Sequence, residues 1–208
     1  MSIFLVYKDV ENSQIILGHD CDRPNDSTNA SVITKSAIKT RNLIFKNLKE
    51  KELDFHISIF NASTLYDVIE FNTDDLVIQS NDFSYKSIKK FILNSLIPRL
   101  VKVFDKYKYN QTNDNGIRDF SCDILIIVGE YVFHIDSKFS LYEAFYEGYD
   151  KDFFILGNGI DAGYGIIQAL QQENPVYTPD RIMSEVIIIL SGLKLYVGEC
   201  CRIYYFKY

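Results

Sequence analysis

The sequence predicts an α+β protein, built as a four-layer αββα sandwich in one domain over residues 1–208. Three observations predict it. The β-prone segments fall into two blocks, and two segments of helical character follow each block. Ordinary α/β alternation would put one helix after each strand, whereas paired helices after each block fit two stacked sheets with helices outside. The chain has 208 residues, 47% of them hydrophobic, and no linker-like stretch divides it. A chain of that length can bury a sizeable core without disulfides or metals.

The first block opens with Ile3–Tyr7, apolar and β-prone, then polar residues 8–13, then apolar Gln14–Leu17. Two strands around a polar connection read as a β-hairpin. Residues 18–23 end it, and a polar loop over Pro24–Ser31 follows. Short strands are expected at Ser31–Thr34 and Leu43–Phe45, with a charged turn over Lys46–Glu52. Phe55, Ile57 and Ile59 alternate with His56 and Ser58, the period of two that marks a strand. Residues 61–64 can cap a helix starting near Leu65. Asp82 or Ser84 can cap a second, in which Ile88, Phe91, Ile92, Leu96, Leu100, Val103, Phe104 and Tyr107 recur at helical spacing. Pro98 lies inside that helix and is expected to kink or split it. Lys108–Asp119 reads as a polar loop.

The second block repeats the style. Cys122–Val128 and Tyr131–Asp136 flank Gly129-Glu130, a tight hairpin signal. Phe139–Tyr142 either extends the sheet or forms the next turn. Phe153–Leu156 is a short buried strand, followed at once by Gly157-Asn158-Gly159 and a helix over Ile160–Gln172. Thr178 caps a helix that has Pro179 at its first position and runs to about Leu190. Tyr196-Val197-Gly198 is a turn, and Cys200–Phe206 is the closing strand, expected in the core, with an edge contact through Tyr204, Tyr205, Phe206 and Tyr208 as the alternative.

Charge and composition narrow the function classes. With 22 Lys+Arg against 28 Asp+Glu, the net charge is −6. That argues against a general nucleic-acid binder, which needs a dense basic field. The longest apolar runs, Ile124–Val128 and Val186–Leu190, fall far short of the roughly 20 residues that span a bilayer. The first residues lack a basic start followed by an apolar stretch, so no signal peptide is expected and the expected compartment is the cytoplasm. Cys21, Cys122, Cys200 and Cys201 contain no CxxC pair, and adjacent strand residues point to opposite faces. Free thiols, and neither a metal nor a cofactor, are the expectation. His19, His56 and His134 lie on or beside separate strands and share no metal-ligand spacing.

Four stretches resemble the proteasome and HslV-type peptidases of the N-terminal-nucleophile (Ntn) hydrolase family. Ile15–Asp20 is similar to the end of that family's first hairpin, with its Gly- or Ala-flanked Asp. Lys35-Ser36-Ala37-Ile38-Lys39 is similar to the segment bearing its active-site Lys. The hairpin ending Ile135-Asp136-Ser137 resembles the central one. Phe154–Gly159, with Ala162-Gly163-Tyr164-Gly165, resembles the family's Gly-Ser-Gly turn and the helix after it.

The resemblance implies a mature chain whose first residue attacks an amide while its own α-amine serves as general base. Ser2 is the hydroxyl that becomes N-terminal on loss of Met1. Asp20 matches the family acid, with Asp22 as rival, and Lys39 matches the activating base, with Lys35 as rival. Gly157, Asn158 and Gly159 would supply an anion-binding turn. Three positions depart from the family pattern: Asn158 replaces a Ser, Lys194 an Asp and Val197 a Ser. A Lys in place of an Asp reverses the local charge and disfavours a protonated amine. The expectation is therefore a peptidase-fold subunit with a degraded site that, if active, cleaves amides through Ser2. The alternatives are a silent structural or partner-binding protein of the same fold, or a small-molecule amidase. The implied partners are further copies of the chain in a ring and a peptide or protein, with no nucleic acid and no membrane.

Overall fold

The computed structural model describes residues 3–20, 40–59, 65–106, 110–112, 118–120, 123–145, 152–193, 198 and 201–208. In chain order the elements begin with β1 (Ile3–Asp9), β2 (Gln14–Asp20), β3 (Thr40–Asn47) and β4 (Glu52–Ile59). Next come α1 (Leu65–Thr73), β5 (Val77–Ile78), α2 (Tyr85–Phe91), a π-helical turn (Ile92–Leu96) and α3 (Ile97–Lys106). The remainder is β6 (Asn110–Thr112), β7 (Arg118–Phe120), β8 (Ile124–Val128), β9 (Tyr131–Ile135), β10 (Leu141–Glu143), β11 (Phe153–Gly157), α4 (Ile160–Glu173), α5 (Pro179–Gly192) and β12 (Cys201–Lys207). These elements form two compact units, Met1–Ile38 with Ala144–Tyr208, and Lys39–Glu143.

In the first unit, β1 is an inner strand of a four-stranded antiparallel sheet ordered β11-β1-β2-β12. Alternation sends Ile3 and Leu5 toward a cluster with Tyr164 and Ile167 of α4 and Met183, Val186 and Leu190 of α5. Phe4 and Val6 point to the opposite face and are equally buried. The β1–β2 hairpin is closed by Asp9, whose carboxylate accepts the Asn12 amide and the side-chain amides of Asn12 and Gln14. Gly163 lets α4 approach β11: a Cβ there would lie 2.8 Å from Ile155 Cδ1. β2 runs to Asp20, beyond the Leu17 expected from its apolar residues, because β1 and β12 both pair along its length, with Asp20 opposite Cys201. β12 lies at the sheet edge, whereas its apolar and aromatic residues had pointed to a core strand.

The second unit holds a six-stranded sheet ordered β10-β9-β8-β4-β3-β5. Its apolar face is packed with Ile69 of α1, Ile88 and Phe91 of α2, and Leu100, Val103 and Phe104 of α3. The rings of Phe45, Phe55 and Phe91 meet at 4.9–5.7 Å. Gly129 has φ +54°, the positive value that the tight β8–β9 turn requires. Pro98 acts as expected, in a specific way. Proline lacks an amide and its ring crowds the carbonyl four residues earlier. The helix widens into a π turn just before it, where the Ile97 amide reaches back to the Ile92 carbonyl.

Two expectations are corrected. The stretch read as a polar loop contains a small hairpin, β6 with β7, registered Asn110↔Phe120. Strands of three residues need no apolar periodicity, so pattern reading passes over them. The two-residue β5 was also not foreseen; it pairs parallel to β3. The short strand expected at Ser31–Thr34 lies outside the described residues.

Candidate functional site

The beginning of β1 is held from both sides. The Ile3 amide donates to Asp20 Oδ1 at 2.9 Å. On the other flank Ile3 stands opposite Gly157, with Phe4 opposite Leu156. Asp20 is fully buried, and its second oxygen accepts the Gly198 amide at 2.8 Å, across 178 residues of sequence. Burying a carboxylate is costly unless hydrogen bonds replace its water, and two backbone amides do so here. Asp20 thereby ties the beginning of β1 to Gly198, which precedes β12. Gly198 was read from sequence only as part of a turn. A contact of that separation leaves no local signal.

The Gly157-Asn158-Gly159 turn joins β11 to α4. Gly157 has φ +113° and Gly159 φ +77°, values that side chains rarely adopt, so both glycines are conformational requirements here. The Gly159 carbonyl accepts the Gly163 amide at 2.8 Å, in the first turn of α4. The Nδ2 of Asn158 is buried and has no hydrogen-bond partner among the described residues.

His19 is fully buried opposite Phe4, with its Nδ1 2.8 Å from the Asp20 carbonyl. Because a carbonyl only accepts, that nitrogen carries the proton. Its ring stacks on Tyr204 at 5.5 Å and meets Phe4 edge-on at 5.8 Å. Cys201, opposite Asp20, has its thiol pushed up to about 11, chiefly by burial, with the Asp20 charge adding to the effect. It is protonated at neutral pH and is not a nucleophile. His134, in the other unit, is 2.9 Å from Asp123. Among the described residues no group of three His, Cys, Asp or Glu could hold a metal ion. No described helix is long and apolar enough to cross a membrane.

Of the residues assigned from sequence, Asp20, Gly157, Asn158 and Gly159 are described, and β1 brings the acid and the turn to its two sides. Ser2 and Lys39 lie outside the described residues, as do their rivals Asp22 and Lys35 and the departures Lys194 and Val197.

No family model matches the chain, and no curated protein is similar to it in sequence. Solved structures are similar over its full length. The BPH protein of Thiobacillus denitrificans superposes with a TM-score of 0.64 at 14% identity, covering 100% of this chain and 98% of that one. The eukaryotic HslV of Trypanosoma brucei gives 0.53 at 13% identity, over 99% of both chains. The Anbu complex of Pseudomonas aeruginosa, solved as a helical assembly, gives 0.55 at 14%, over 99% of this chain and 81% of that one. The fold is the proteasome-like one. This likeness bears out the α+β, αββα class expected from the two blocks of strands and their paired helices. Within the proteasome-like fold, Asp20 and the Gly157–Gly159 turn flank the first strand.

Proposed function

We propose that this chain is a subunit of a self-assembling, proteasome-like amide hydrolase with an altered active site, in which Ser2 is the nucleophile once Met1 is removed. The observation that carries the reading is the bond from the Ile3 amide to Asp20. The peptide nitrogen it holds is the one that joins Ile3 to the residue before it, so the buried acid is bonded to the point where β1 begins.

The chemistry follows from the groups assigned. The Ser2 α-amine, with an ordinary pKa of about 7.7–8.0, takes the hydroxyl proton as Oγ attacks the amide carbonyl. The tetrahedral oxyanion is met by amides of the Gly157–Gly159 turn. The amine then passes its proton to the departing nitrogen, leaving an ester on Ser2. Water, deprotonated by the same amine, hydrolyses that ester. Lys39, as an ammonium, lowers the cost of the Ser2 alkoxide. Peptides are the substrate class of this reading, and the helical assembly of the Pseudomonas aeruginosa neighbour supports self-association.

A second reading is a silent, partner-binding protein of the same fold, favoured by Lys194 and Val197 at positions where the family has Asp and Ser. Hydrolysis of fluorogenic peptides by the purified chain decides between them. Activity lost in both Ser2→Ala and Lys39→Ala supports the first. Activity retained in Ser2→Ala, or absent from processed wild type, refutes it.

A further inference from the structure

β12 has the residues of an inner strand and the place of an outer one. It reads Cys-Arg-Ile-Tyr-Tyr-Phe-Lys, yet it closes the sheet β11-β1-β2-β12 and pairs with β2 alone among the described strands. Sheet edges are ordinarily protected by short strands, prolines or bulges. β12 has seven residues, no proline, and an unbroken register from Cys201↔Asp20 to Lys207↔Gln14. The Tyr208 amide continues that ladder to the Ser13 carbonyl at 3.1 Å. Backbone groups alternate sides along a strand, so those of Ile203, Tyr205 and Lys207 point away from β2. Tyr205 is also 54% exposed.

A second copy of the same strand fits this edge. In an antiparallel pair, residues whose backbone groups cross the gap oppose one another, so odd positions meet odd and even meet even. The charges of β12 are Arg202 and Lys207, both exposed. They differ in parity, so no allowed register sets one cation opposite the other. A two-fold axis at Tyr205 pairs that residue with itself and Ile203 with Lys207, joining their outward groups. The same register sets Tyr204 opposite Phe206 and Arg202 opposite Tyr208. Tyr204 and Phe206 already stack at 6.4 Å within one strand, so the pairing extends them into a longer aromatic row.

We propose that β12 is a homotypic docking edge, on which β12 of a second copy pairs antiparallel about a two-fold axis at Tyr205, so that two four-stranded sheets become one continuous sheet. The contact is isologous, each copy giving the same residues to the other. The inference rests on the self-assembly part of the reading above and is independent of the Ser2 chemistry.

The test uses the full chain at micromolar concentration. Tyr205→Pro removes an N–H that β2 does not use, so the fold should survive while the pairing is lost. Sedimentation velocity should then show the weight-average mass falling by about half or more, with Tyr205→Phe unchanged from wild type. The register is read separately in the double variant Arg202→Cys, Tyr208→Cys. These positions lie about 20 Å apart within one strand, so a disulfide between them joins two copies. Oxidation with copper-phenanthroline should give a linked dimer, with the bond mapped by mass spectrometry between positions 202 and 208. A Tyr205→Pro chain that keeps the wild-type mass overturns the proposal, as does the absence of that bond. If Tyr205→Pro does not fold, the disulfide decides alone. A wild-type monomer overturns this contact and the subunit reading together, whereas a multimer unaffected by Tyr205→Pro overturns this contact only. A chain that shows both effects but cleaves no peptide refutes the hydrolase reading and leaves this one standing.

Discussion

Asp20 Oδ1 accepts the Ile3 amide at 2.9 Å, joining the last residue of β2 to the first residue of β1. The same carboxylate accepts the Gly198 amide, so one buried side chain organises three segments far apart in sequence. In Asp20→Asn, one oxygen becomes an NH₂ group that meets a backbone N–H. The loss is expected to be ~1–3 kcal/mol, or about 2–10 °C in Tm for a chain of this size. Differential scanning calorimetry checks it. A variant as stable as wild type would show that the two amides have other partners.

Two glycines of α4 should respond in opposite directions. Gly163→Ala places a Cβ 2.8 Å from Ile155 Cδ1 in a filled core and should destabilise by about 1 kcal/mol or more. Gly165 is exposed and a Cβ there meets nothing within 4 Å. Gly165→Ala removes chain entropy inside a helix and should stabilise by about 0.5–1 kcal/mol. Urea denaturation of the pair reads both signs.

Acid stability should depend on Asp82. Its carboxylate accepts the Ser84 amide and the hydroxyls of Ser80, Ser84 and Ser87, at the start of α2, and these bonds lower its pKa from 3.8 to about 2. A carboxylate with a depressed folded-state pKa adds stability above its unfolded value, and that contribution is lost as pH falls from about 4 toward 2. Asp82→Asn should therefore be less stable than wild type at pH 6, with the difference vanishing near pH 2. A difference independent of pH would contradict the sign.

The parts of this fold that were legible in the sequence are those written locally. Gly129-Glu130 between two apolar runs marked the β8–β9 hairpin, and Thr178-Pro179 marked the start of α5. Pro98 announced a disturbed helix, although nothing in the residues distinguished a π turn from a kink. Asp20 and the Gly157–Gly159 turn stand out in the sequence only through the resemblance. What the residues alone hid was the partner of Asp20, because the Gly198 amide lies 178 positions away and any residue but proline carries such a donor. The end of β2 was hidden for a similar reason: Gly18-His19-Asp20 looks like a turn until β12 is seen to pair with it.

Assembly is expected on the same account. Static light scattering should give a mass several times that of one chain. A monomer at micromolar concentration would count against the subunit reading.

The central claim is most directly tested by intact mass spectrometry of the purified protein, before and after exposure to an electrophile that reacts with N-terminal nucleophiles. The account predicts a chain lacking Met1 that gains one adduct, mapped to Ser2 and abolished in Ser2→Ala. Active protein that retains Met1, or an adduct that persists in Ser2→Ala, would contradict it.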